Sequence, residues 1–138
     1  MSVRLTIQMY RGGIFDHIGG GFSRYSTDDY FLAPHFEKML YDNALLIMAY
    51  SKAYELTHNM LYLGVAEKTA SYILNEMTSP HGGFYSAQDA DSEGVEGKYY
   101  LFEPLEIIKI LGFESNEYFY RWFKKHFKMT INQYKKIQ

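Results

Sequence analysis

The chain has 138 residues, 14 of them basic and 16 acidic, and nearly half are apolar, a composition that fits one folded domain with a real core and excludes a disordered chain. It has no cysteine, so disulfides, thiolate metal sites and thiol catalysis are excluded for this chain. No stretch is apolar over enough residues to be a signal peptide or to span a bilayer, and a cytoplasmic location without a membrane partner is expected.

Residues 3 to 11, "VRLTIQMYR", read as the last turns of a helix that Gly12 and Gly13 end. A long loop follows, broken by Gly19, Gly20 and Gly21, with a short hairpin expected around Thr27 and Asp28. Pro34 suits the first turn of the next helix, which should run to about Leu56 with Leu46, Ala49 and Ala53 on one stripe. "THNM" marks a turn. A second helix over 60–77 should place Leu63, Ala66, Ala70, Ile73 and Leu74 inward, with Gly64 weakening it.

"TSPHGG" stops that helix, and a glycine-punctuated loop should form a hairpin closed by "EGVEG", with strands around Phe84–Ser86 and Lys98–Phe102. Pro104 opens a short helix that Gly112 ends, and Ser115 is placed to cap a last one. Beyond Met129 no pattern is visible. One unit recurs: a double glycine, a long polar loop and a helix, with the two glycine pairs 70 residues apart. This predicts antiparallel helix pairs whose long loops gather on one side.

All 16 acidic residues precede position 121, and the stretch from Arg121 onward carries six basic residues and no acidic one. Such a tail suits nucleic acid or acidic lipid, but a solvated helix face is commoner, and nucleic acid is not the expected partner.

The polar residues that could carry chemistry fall into two clusters. On a helix begun at Pro34, His35 and Asp42 lie seven residues apart and nearly in line, with Met39 and Leu46 on the same stripe, so the helix would be polar at its start and apolar after it. Glu37 points off that stripe and reads as an acid favoured by the helix N-terminus. Two readings of His35 stay open, a site residue or a histidine bonded to a loop carbonyl. Asp42 reads equally as a buried partner of Arg24 or a tyrosine. In "SAQDADSEG", Asp89 and Asp91 would share one face if extended, as a carboxylate pair dividing acid and base roles or as a polar turn bonding its own backbone. The D-x-D-x-E-G spacing fails as a calcium loop because its twelfth position is Tyr100. "HIGGGF" lacks the Lys-Ser/Thr of a phosphate loop, and Asp16, His17 and Arg24 beside it could reach a shared cavity. No metal and no cofactor is expected.

The blocks "GGIFDHIGGGFSRYSTDDYFLAPHFEKMLYDNALL" and "GGFYSAQDADSEGVEGKYYLF" resemble two signature blocks of the spermatogenesis-associated protein 20 family, the YyaL-like proteins. The resemblance covers roughly residues 8 to 112, departs at "LFEPLEI" and is lost after Phe127. It implies a thioredoxin-like domain followed by an (α/α) toroid similar to N-acylglucosamine 2-epimerases and six-hairpin glycosidases. This chain matches only the early toroid, so the implied fold is all-α, a partial (α/α) toroid over residues 1–127 with a poorly ordered basic tail over 128–138. Fold relatives bind sugars in a central cavity. Carried over residue by residue, the implied catalytic groups are His35, Asp42, Asp89 and Asp91, and the implied substrate contacts are His17, Arg24, Tyr25, Tyr41 and Tyr85. The implied ligand is a carbohydrate, the implied partner a thioredoxin-like domain, and any activity would be epimerase-like or glycosidase-like. A closed toroid needs about six hairpins and this chain offers about two, so a piece of a longer protein, a truncated product or an oligomer is expected. The alternatives are a non-catalytic helical module beside a thioredoxin-like domain and an inactive truncated product.

Overall fold

In the computed structural model, which describes residues 3–134, the chain divides into two compact units, Met1–Tyr100 and Leu101–Gln138. The first is built on an antiparallel helix pair. Helix α1 (Val3–Arg11) leads into the glycine-rich loop, and the main pair is α2 (Leu40–Thr57) and α3 (Met60–Glu76). Only His58 and Asn59 separate the two. His58 adopts the left-handed conformation (φ 52°) and its N–H bonds the Tyr54 carbonyl, while the Asn59 side chain accepts the N–H of Leu61. One residue thus ends a helix and the next begins another. Tyr50, Ala53, Tyr62, Val65 and Ala66 bury against Ile14, Phe15 and Phe22 of the glycine-rich loop. The Tyr50 hydroxyl donates to the Thr6 carbonyl at 2.6 Å, tying α1 to α2.

Several expectations are corrected. Helix α2 starts at Leu40, six residues after Pro34. Pro34–His35 is a strand (β2) paired antiparallel with Tyr25–Ser26 (β1), and Lys38–Met39 is another (β3), paired with Ala87–Gln88 (β4). His35 and Asp42 are therefore not one helical stripe, and Glu37 is not a helix N-terminal acid. The acid in the first turn of α2 is Asp42. The hairpin around Thr27 and Asp28 exists as a turn, but its return strand is Pro34–His35. The Asp28 carboxylate builds that turn by accepting the N–H groups of Tyr30, Leu32 and Ala33. Those bonds, that of Ala33 first, hold its carboxyl below the usual range.

The second loop also differs. Its hairpin strands are Asp91–Ser92 (β5) and Val95–Glu96 (β6), not segments near residues 84–86 and 98–102. Glu93 and Gly94, both at positive φ, form the two-residue turn between them. In α3, Ala66 and Ile73 are buried as expected, but Leu74 faces solvent. The two double glycines, alike in sequence, differ in role. A side chain at Gly12 or Gly13 would strike the Phe31 or Leu32 carbonyl, whereas Gly82 and Gly83 have open space and need their positive φ.

In the second unit, α4 (Pro104–Ile110) begins with a capping box between Glu103 and Glu106, and α5 (Asn116–Phe127) is capped by Ser115, which accepts the N–H of Tyr118. Phe113 packs against Phe119 and Trp122. A four-residue helix, α6 (Ile131–Tyr134), follows where no pattern was expected. The last four residues of the basic tail, 135–138, lie outside the described residues. The described elements make an all-α fold decorated by three two-stranded pairs. No helix among them is long and apolar enough to cross a membrane.

Candidate functional site

The two glycine-rich loops meet at the start of α2. Backbone pairing of Lys38 with Gln88 and of Met39 with Ala87 joins them, and the Leu40 N–H extends the ladder to the Ser86 carbonyl. At that junction sits a fully buried lysine. The Lys38 ammonium donates to Asp16 Oδ2 at 2.9 Å and to the Gly20 carbonyl at 2.8 Å. It lies 4.5 Å from the centre of the Tyr72 ring and 4.8 Å from that of Tyr100. Both phenol hydroxyls turn to Gln88 Oε1. Burial acts to raise the Asp16 carboxyl, but Lys38 and the N–H groups of Gly19 and Ile18 outweigh it and hold the group below the usual range. This satisfied ion pair is a structural tie between loops.

Asn43 is the second tie. Fully buried in α2, it accepts the Phe22 N–H at 2.7 Å and donates to the Phe22 and Met39 carbonyls. It copies the backbone of a missing strand and fixes the glycine-rich loop on the helix.

His35 and its neighbours are arranged differently. The imidazole stacks on Tyr25 with centroids 4.8 Å apart, and its Nε2 lies 3.7 Å from Glu96 Oε1. Arg24 pairs with Glu37 at 3.0 Å, and Glu37 and Tyr41 together raise its guanidinium further above its ordinary range. Burial pushes the Asp42 carboxyl up, and the charge of Arg24 opposes it. Two polar atoms here are buried without a partner among the described residues, His35 Nδ1 and Asp42 Oδ2. Folded proteins rarely leave such atoms alone.

Asp89 and Asp91 line a cavity of about 200 Å³ with Gln88, Tyr99 and Tyr100. Asp89 Oδ1 accepts the Asp91 N–H at 3.0 Å, the local turn bond that short acidic side chains favour. Asp91 stands directly across the hairpin from Glu96, so the two side chains share one face. His17 lines a different cavity, also about 200 Å³, with Tyr10, Phe15, Gly64, Val65 and Lys68. Its ring stands edge-on to Tyr10 and Phe15, and burial, then Lys68, depress its pKa. Tyr41 and Tyr85 are half-exposed.

The structure thus gathers Arg24, Tyr25, His35, Tyr41 and Asp42 around one strand pair and the start of α2. It puts Asp91 on the hairpin face that reaches His35 through Glu96, and it separates His17 from both. The sequence assigns no site role to Glu96, Lys38, Asn43 or Gln88. Lys38 and Asn43 each stand beside an apolar residue in the sequence, Met39 and Ala44, but the loop groups they bind lie 18 or more residues away.

No protein-family model matches the chain. It is 44% identical over 117 residues to spermatogenesis-associated protein 20 of Homo sapiens and 41% identical over 117 residues to that of Mus musculus, each match covering 80% of this chain and 15% of the relative. An uncharacterized protein of Caenorhabditis elegans is 37% identical over 127 residues, which is 81% of this chain and 17% of that protein. The chain therefore spans less than a fifth of the length of the relatives it matches. With identities of this size over 80% of its own length, the chain belongs to the spermatogenesis-associated protein 20 family.

Proposed function

We propose that this chain supplies part of the wall of an (α/α) toroid whose hollow binds a carbohydrate, in a protein with epimerase-like or glycosidase-like chemistry. The observation that carries this reading is the pair of buried, unpartnered atoms, His35 Nδ1 and Asp42 Oδ2. A sugar hydroxyl donates and accepts at once, so it can meet either an imidazole nitrogen or a carboxyl oxygen. The Tyr25–His35 stack offers an aromatic surface for the C–H face of a sugar ring. His35 is the candidate general acid or base, and Glu96 at 3.7 Å is the carboxylate that would orient it. Asp89 and Asp91, in the cavity beside that hairpin, would bind hydroxyls.

The toroid part of the reading draws support from the helix surfaces. Leu45, Met48 and Leu56 on α2 and Met60 and Leu74 on α3 are exposed, as expected of helices that further hairpins would cover. Saturation-transfer NMR and isothermal titration of this chain and of the full-length human relative, against hexoses, amino sugars and disaccharides, test the proposal. Binding of at least one class, weakened about tenfold or more by His35→Ala with the melting temperature kept, is expected. Absence of binding by both proteins overturns it.

A second reading, a non-catalytic helical module beside a thioredoxin-like domain, is favoured by Lys38 and Asn43, whose polar atoms serve only to tie loops to helices. Under it, alanine at both His35 and Asp89 unfolds the chain. Retained stability with lost sugar binding rejects it.

A further inference from the structure

The cavity that contains His17 shares no lining residue with the one that holds Asp89 and Asp91. It is lined by Gly64, an exposed residue in the interior of α3. Glycine is the least favourable residue for a helix interior after proline. Nothing in the fold requires it at this position. A Cβ there would meet no atom within 4 Å, and its φ is not positive. What the missing side chain does is leave room. The space is about 200 Å³, whereas about 150 Å³ of apolar cavity suffices for benzene.

The walls come mainly from Tyr10, Phe15, Met60, Leu61 and Val65, with the His17 imidazole and one cation, Lys68, also lining the space. Lys68 Nζ is fixed by donating to the His17 carbonyl at 2.5 Å, which leaves two of its N–H groups for a ligand. Among the described residues no carboxylate lines the space, and the Asp16 carboxylate is already bonded to Lys38. We propose that this cavity binds a small carboxylic acid with an apolar ring or short chain, its carboxylate on Lys68 and its body against Phe15, Val65 and the bare backbone of Gly64.

The test is an amide-resolved NMR titration of the full chain with benzoate, benzyl alcohol and benzylamine. Benzoate is expected to shift the Gly64, Val65 and Lys68 amides and to bind about tenfold more tightly than benzyl alcohol. Lys68→Gln should erase that preference, and Gly64→Leu should weaken benzoate about tenfold or more by filling the space while keeping or raising the melting temperature. If Gly64→Leu fails to fold, Gly64→Ala gives a smaller loss in the same direction. Equal binding of the acid and the alcohol, unchanged benzoate affinity in a folded Gly64 variant, or no shifts at all would overturn the proposal. So would shifts at Gly64 that follow protein concentration and ignore benzoate, since a second copy would then fill the cavity.

Discussion

Replacing Lys38 by methionine removes the ammonium from the junction of the two loops while keeping most of the side-chain volume. In the native state that ammonium bonds Asp16 and the Gly20 carbonyl and lies against the faces of Tyr72 and Tyr100. Breaking a buried ion pair by removing one partner costs about 3–5 kcal/mol. Asp16 keeps the N–H groups of Ile18 and Gly19, and its side chain is 16% exposed, so water recovers part of the loss. The expected cost is at the low end, about 3 kcal/mol. Changing Asp16 to Asn as well removes the stranded charge, and the double variant should lie within about 1 kcal/mol of the parent. Amide hydrogen exchange in α2 and α3 is the assay, because it follows the Met1–Tyr100 unit alone. The sign with pH is also fixed. Asp16 has a depressed native pKa, so its stabilisation is full above the ordinary value of 3.8 and fades as pH falls below it. A Lys38→Met cost under about 1 kcal/mol, or a double variant no better than the single one, would refute the reasoning.

Asn43→Ala leaves the Phe22 N–H and carbonyl buried and unpaired and should cost about 2–4 kcal/mol, read from the thermal transition. Gly97→Ala meets two obstacles, a φ of 72° and the Phe36 ring beside it. It should cost at least about 1 kcal/mol and speed exchange of the Gly97 amide, now bonded to Ala90. Asp42 has a raised native pKa, so the folded state holds its proton more tightly and the ionised form opposes folding. Asp42→Asn should therefore stabilise at pH 7 by under about 1 kcal/mol, with the gain vanishing near pH 3. A loss at neutral pH would mean that attraction to Arg24 outweighs burial.

Local chemistry made half of this fold legible. Pro104 opens α4 and Ser115 caps α5, because each act needs only the residue and its next few neighbours. The misplaced start of α2 shows the limit. Proline fits the first turn of a helix, but its missing N–H also suits a short strand, and sequence alone does not weigh the two. What decides is pairing of residues 34–35 with 25–26 and of 38–39 with 87–88, partners up to 50 residues away that leave no local mark. The same error carried His35 onto a helical stripe with Asp42. Spacing points Leu74 inward, yet Tyr72 and Tyr62 are among the buried side chains of α3 and Leu74 is left exposed.

The polar residues of the loops separate by whether their atoms are matched, a distinction that residue type does not make. Lys38, Asp16 and Asn43 have a partner for each buried group, so a ligand would have to break a bond to reach them. His35 and Asp42 each hold one atom away from water without a bond among the described residues, which in a folded chain is a cost that needs an offset. A residue retained only to tie loop to helix would gain stability by completing that bond or by becoming apolar. A residue that meets a hydroxyl of a ligand gains by leaving the atom open. The same measurement therefore reads both roles: Asp42→Asn that stabilises the chain and weakens a sugar places the aspartate in the second class, and Asn43→Ala that destabilises the chain before any ligand is added places the asparagine in the first.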